Sequence, residues 1–174
     1  IPTSATVINK RGVWYIHIVI KFDPIACGGK GVMGVDLGIN TIAATSTGLQ
    51  IEGRTRQDFK QKRAEVRASL QSRNTKAARK VLKRISGKEQ RRIKHENHIV
   101  SKQLVEESKR HNCGVIRMEQ LKDIRDKTKT WNKHLNRMMA GWSFYQLQQF
   151  VEYKAAAIGI TVELVNPAYT SQTC

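Results

Sequence analysis

Hydrophobic residues along this chain follow two rhythms. The first has a period of two. Trp14, Ile16, Ile18, Ile20 and Phe22 alternate with polar or neutral positions, the pattern of a strand with one apolar face. Ala5 to Ile8 precedes it across Lys10-Arg11-Gly12, which predicts a hairpin, with His17 on the opposite, surface face. An isolated hairpin is marginal in water, so this one is expected to dock on another element. Asp23 to Gly31, with Pro24 and three glycines, reads as a linker. Val32 to Val35 is then a short apolar run bounded by glycines, as suits the interior of a sheet. Thr41 to Thr47 reads as the next strand, Ser46-Thr47-Gly48 as its turn, and Leu49 to Glu52 as a third strand.

The second rhythm is helical. Phe59, Val66 and Leu70, then Val81, Leu82 and Ile85, then Ile93, Val100 and Leu104 recur at helical spacing towards Glu107. Ser72-Arg73-Asn74-Thr75 is expected to separate two helices, with Thr75 as an N-cap, and Ser86-Gly87 to break or kink the second. Cys113-Gly114 is expected to end the helices, and Val115 to Glu119 reads as a buried strand. Residues 120–141 are lysine-rich and weakly periodic, with Trp131, His134, Met138 and Met139 scattered through them. A loop of that length is a lid, a binding loop or a disordered segment. Trp142 to Ile158 returns to a helix with Leu147, Val151 and Ile158 on one stripe, and Thr161 to Val165 is a last strand. A three-strand meander followed by parallel strands with helical crossovers predicts an α/β fold with a mixed sheet.

Composition adds a partner. The 174 residues suffice for one domain with an appendage, and the net charge of +17 with a pI near 10.2 attracts a polyanion, nucleic acid above all. Arg54 to Lys94 holds 16 Lys and Arg against three acids, a net of +13. One sign over such a stretch favours a binding surface over a solvated face. Its candidate nucleic-acid contacts are Arg54, Arg56, Lys60, Lys76, Arg79, Lys80, Lys83, Arg84, Arg91, Arg92 and Lys94. Cys27, Cys113 and Cys174 form no C-x-x-C pair, so a disulfide framework is not expected and a reducing cytoplasm fits. No stretch is apolar and long enough to span a bilayer. Ile1-Pro2 lacks an initiator Met and the chain stops on a cysteine, so both ends are expected to be cut.

Two acids carry the candidate chemistry. Asp36 ends the first buried strand, and Glu119, 83 residues further on, ends another. A turn-capping aspartate is one reading of Asp36; the other is a metal ligand. Paired acids repel unless a proton or a metal neutralises them, and hard cations such as magnesium take oxygen ligands while keeping positions open for water and phosphate. Two such ions promote phosphodiester cleavage. A glycosidase also uses two acids, but the basic field favours a phosphate backbone. His95 and His98 lie one turn apart without a carboxylate or cysteine to join them, so a polar helix face is expected there.

These residues carry a resemblance. Gly34-Val-Asp-Leu-Gly-Ile39 and Ile116-Arg-Met-Glu-Gln-Leu121 resemble the first two catalytic motifs of a RuvC-type ribonuclease H fold. Trp142-Ser-Phe-Tyr-Gln-Leu147, Tyr153-Lys-Ala155 and 165–174 resemble the C-terminal region of TnpB, the transposon-encoded proteins related to type V CRISPR effector nucleases. Asn97-His98, Ser101-Lys102 and Leu121-Lys-Asp-Ile-Arg125 fit the same family. The resemblance implies a prokaryotic RNA-guided DNA endonuclease, with DNA target and guide RNA as partners. Asp36 and Glu119 would be its magnesium (or manganese) ligands. Residues 1–27 would end a wedge-type β domain, 28–165 would form the nuclease domain with basic helices over 54–111 and a lid over 120–141, and 166–174 would begin a zinc ribbon. Cys174 would be a zinc ligand only in an intact four-cysteine ribbon, and a third catalytic aspartate is expected beyond it. The chain is therefore expected to be a fragment, inactive by itself.

Two rivals differ in class. An actin-like or sugar-kinase ATPase also uses an Asp-x-Gly turn, but it should repeat a Gly-rich phosphate loop, and none is present. A non-catalytic basic nucleic-acid-binding module with vestigial acids needs only the charge run.

Overall fold

A computed structural model describes residues 1–10, 12–21, 23, 29–120 and 143–166. The period-two segments form strands β1 (Pro2–Lys10) and β2 (Val13–Ile20), paired antiparallel with Val7 opposite Ile16 and Ala5 opposite Ile18. Gly12 takes φ +82°, a turn conformation that costs glycine little. Here one expectation fails. Trp14, Ile16, Ile18 and Ile20 stay 57–69% exposed, so no described residue covers the apolar face. The alternation sufficed to pair the strands but says nothing about where the covering surface comes from.

The main sheet has the order β5-β4-β3-β6-β7. Strands β3 (Gly31–Asp36), β4 (Thr41–Thr45) and β5 (Gln50–Glu52) are an antiparallel meander, and β6 (Cys113–Glu119) and β7 (Thr161–Val165) add parallel to β3. This is the mixed α/β sheet that the sequence predicts. The β4–β5 turn closes through Thr45 N–H to the Leu49 carbonyl at 2.9 Å, and Gly48 takes φ +97°.

Helices α1 (Arg54–Ser72), α2 (Lys76–Arg110) and α3 (Phe144–Ala157) complete the fold. Asn74 enters the left-handed region at φ +45° to reverse the chain, and Thr75 Oγ1 accepts from Ala78 N–H at 3.1 Å, the predicted cap. The expected break at Ser86-Gly87 does not occur; α2 runs unbroken for 35 residues. Glycine costs about 1 kcal/mol in a helix interior, too little to stop one held on both sides by packing. Cys113, read as a helix end, opens β6 instead; α2 stops at Arg110, and Asn112 makes the left-handed exit at φ +53°.

The core forms on one face of the sheet. Met33 and Val35 of β3 and Ile116 and Met118 of β6 meet Val100, Leu104 and Val105 of α2 and Leu147, Val151 and Ala155 of α3. The alternate positions of β3 and β6 point the other way, and Val32 there is 48% exposed. The expected lid, Trp142, Cys27, Cys174 and the ribbon start from 167 lie outside the described residues. Cys113 is a free, buried thiol. Among the described residues no helix is long and apolar enough to cross a membrane.

Candidate nuclease site and nucleic-acid interface

The two strand-end acids are brought side by side in the ladder. Gly34 pairs with Arg117 and Val35 with Met118, so Asp36 and Glu119 are the next residues on neighbouring parallel strands. Side chains alternate along a strand, and Val35 and Met118 are buried at 5% and 1%. Asp36 and Glu119 therefore share the face away from the core; Asp36 is exposed and Glu119 half-buried. Each is flanked by an outer strand, Asp36 opposite Ala44 of β4 and Glu119 opposite Val165 of β7. The carboxyl ends of parallel strands are where open α/β sheets bind ligands. Two residues back on the same face, Arg117 donates through Nε and Nη2 to Glu163 Oε2 of β7, at 3.0 and 2.7 Å.

The basic helices divide into a structural part and an exposed part. Arg56, a predicted nucleic-acid contact, is corrected by its burial: only 3% of its surface is exposed. Its Nε donates to Glu96 Oε2 and its Nη2 to Asn97 Oδ1, both at 2.9 Å. Asn97 in turn donates through Nδ2 to Ser143 Oγ at 2.6 Å and Gln146 Oε1 at 3.0 Å, so one buried amide joins α1, α2 and the start of α3. Arg92 is exposed, yet its guanidinium lies 4.0 Å over Phe59 and its Nε donates to Glu96 Oε1 at 2.9 Å. Burial, with the Arg56 guanidinium adding to it, lowers the Lys60 ammonium to about 8. Arg54, Lys76, Arg79, Lys80, Lys83, Arg84, Arg91 and Lys94 are all exposed.

Sequence reasoning missed the Asn97 network and a second cluster beside it. His98 stacks on Phe150 at 4.0 Å, and Lys154 Nζ reaches the His98 carbonyl at 2.5 Å and Ser101 Oγ at 2.6 Å. Asn97-His98, Ser101-Lys102 and Tyr153-Lys154 stand in the segments that carry the resemblance. That signal was present, but only the fold shows that these segments touch. Among the described residues no group of three or more His, Cys, Asp and Glu could hold a metal, and His98 is a packing residue.

Two acids at the ends of neighbouring parallel strands, on one face of the sheet, and a cationic pair of helices, α2 packed on the other face, are the two candidate surfaces of this α/β protein. Comparisons make the class particular. A family model described as "Probable transposase" (OrfB_IS605) matches residues 26–125, and one described as "Cas12f1-like, TNB domain" matches 144–174. A TnpB-like protein, MJ0751 of Methanocaldococcus jannaschii, is 33% identical over 135 residues, covering 78% of this chain and 48% of the relative. The CRISPR-associated endodeoxyribonuclease Cas12f1 of Sulfoacidibacillus thermotolerans is 31% identical over 184 residues, covering 95% and 42%. Among solved structures, a Cas12f1–sgRNA–target DNA complex aligns with TM-score 0.62 at 19% identity, over 97% of this chain and 43% of that one. A CRISPR–Cas12f ternary complex aligns with TM-score 0.68 at 20% identity, over 98% and 36%. The chain belongs to the OrfB/IS605 transposase-associated family, which includes TnpB-like and Cas12f1 proteins, and it spans less than half the length of these relatives.

Proposed function

We propose that the chain is the nuclease portion of an RNA-guided, metal-dependent DNA endonuclease with a RuvC-type ribonuclease H-like fold. The observation that carries this reading is the register of β3 and β6, which sets Asp36 and Glu119 as neighbours on one open face. The sheet order, with a meander on one side of β3 and parallel strands on the other, agrees with the fold assignment. Relatives named as endodeoxyribonucleases, and a neighbour solved with sgRNA and target DNA, support the substrate and partners.

Two carboxylates fit a hard divalent cation, because they supply oxygen donors and leave positions for water and phosphate. Bound between them, such an ion would supply an activated water and stabilisation of a phosphodiester's leaving oxygen. Asp36 and Glu119 would hold and orient the ion, and the exposed arginines and lysines of α1 and α2 would grip the backbone. Cys174 would be a zinc ligand only within a ribbon that supplies four ligands.

Manganese binding, read by titration calorimetry or paramagnetic resonance, should fall in Asp36→Ala and in Glu119→Ala by at least the 10–100-fold that loss of a supporting group costs at metal sites, on the order of one to two decades. Unchanged manganese affinity in both variants sinks the site. Cleavage that survives Asp36→Ala would point to a non-catalytic binding module contaminated by another nuclease.

A further inference from the structure

The cationic positions of α2 are not scattered. Lys80, Arg84, Arg91, Lys94 and Lys102, with His98 among them, follow one another at three-, four- and seven-residue steps, so they share one narrow arc of the helix. The arc runs about 33 Å at 1.5 Å per residue. Its carboxyl end meets α3, and there the surface changes character. His98 lies flat on Phe150 at 4.0 Å, and Tyr153 packs edge-on to Phe150 at 5.9 Å. The Tyr153 hydroxyl reaches His98 Nδ1 at 3.3 Å, and Lys154 Nζ stands 5.9 Å from the Tyr153 ring centre. Three neighbours thus fix the Tyr153 ring, yet 51% of the residue is in solvent. A rigid half-exposed ring is unneeded for helix packing, which Leu147, Val151 and Ala155 already accomplish from the buried side. The seam is also electropositive: burial lowers the His98 pKa, and Lys154, Lys94 and His95 lower it further. Lys102 does pair with Glu106, at 3.6 Å, but that ion pair is exposed and of little strength.

We propose that the α2–α3 seam is a base-stacking site for a single-stranded polynucleotide, with Tyr153 as its platform and the α2 arc as its phosphate track. Base–aromatic stacking tolerates any sequence because every base has a π-face, and cationic grooves beside such rings are the common design of single-strand binders. The proposal deepens the nucleic-acid reading above and rests on it: the arc alone would grip any backbone, whereas the seam selects strands whose bases are unpaired.

The test measures binding of this chain to a duplex, to single-stranded DNA and RNA of one sequence, and to an abasic strand of the same length, by fluorescence anisotropy. Tyr153→Leu should weaken binding of both base-bearing single strands by about tenfold and leave the duplex and the abasic strand unchanged, while Tyr153→Phe keeps the parent affinity. The tighter of the DNA and RNA strands identifies the natural ligand. Charge reversal of Lys80, Arg84 and Arg91 should weaken all four ligands, and its failure would overturn the basic track, independently of Tyr153. Equal binding of base-bearing strands by Tyr153→Leu and the parent overturns the stacking site. Photocrosslinking of a 5-iodouracil strand to the unaltered chain gives a reading that does not depend on any variant's folding. Adducts at Tyr153, Phe150 or His98 support the seam, and adducts confined to other residues overturn it.

Discussion

Single residues here are decided by partners far away in sequence. Arg56 is one of 16 cations between Arg54 and Lys94, and nothing local distinguishes it from Arg54. Its partners Glu96 and Asn97 lie 40 and 41 residues on, so its burial was illegible before the helices were placed against each other. Thr75, by contrast, was legible because a cap is satisfied within three residues. Lys60 shows the cost of the same helix contact. Its pKa is lowered to about 8, first by burial and then by Arg56, with Glu89 and Glu96 acting in opposition. Below about pH 8 it is charged in both the folded and the unfolded chain, and the unfavourable burial of that charge is fully present. Between about 8 and 10.5 the unfolded chain keeps a proton that the folded chain has released, so this group makes stability rise with pH. Lys60→Met should therefore stabilise the fold at neutral pH, with an advantage that shrinks as pH climbs through that window. Melting temperatures of the two proteins at several pH values check this, and parallel curves would refute it.

Elements were legible where one face is apolar and the other polar. The strands and helices fall where the two rhythms put them, with ends shifted by a few residues. The break expected at Gly87 fails because helix continuity is a tertiary matter: Ala78 and Ile85 are buried before it, and Val100 and Leu104 after it. A methyl group at Gly87 would meet only Arg91 Nη1, at 3.5 Å, ordinary van der Waals contact. Gly87→Ala should accordingly stabilise the protein by about 0.5–1 kcal/mol, through helix propensity and a less flexible unfolded chain. Denaturant unfolding measures it. A loss of stability would mean that α2 needs flexibility at this point.

At the scale of the whole molecule, the charge pattern was legible and the covering of surfaces was not. The β1–β2 ribbon and the open sheet face stay uncovered among the described residues, and an apolar pattern marks a face without naming what packs on it. The pairing of Asp36 with Glu119 was within reach, since both close apolar runs that topology rules allow to lie adjacent. The charge argument makes the global prediction. Arg79, Lys83, Arg91 and Lys94 are exposed, so reversing all four to Glu should leave the circular dichroism spectrum intact. Affinity for duplex DNA should fall for unrelated sequences alike. The slope of log affinity against log salt should flatten by about 0.9 for each phosphate no longer neutralised. A folded variant with the parent's slope would reduce the charge run to a solvated face.

The parallel pairing of β3 with β6 has a consequence for how the chain finds its shape. Gly31 and Cys113 are partners, but α1 and α2 intervene between them. A flexible loop of that length closes slowly, because its entropy must be surrendered before any non-local contact forms in return. Helices form in about a microsecond or less and shorten the path between the two strands. Once α1 doubles back onto α2, the search shrinks from a long coil to a few short joints. The helical pair that carries the positive charge thus also lies between, and shortens the chain path joining, the strands bearing Asp36 and Glu119.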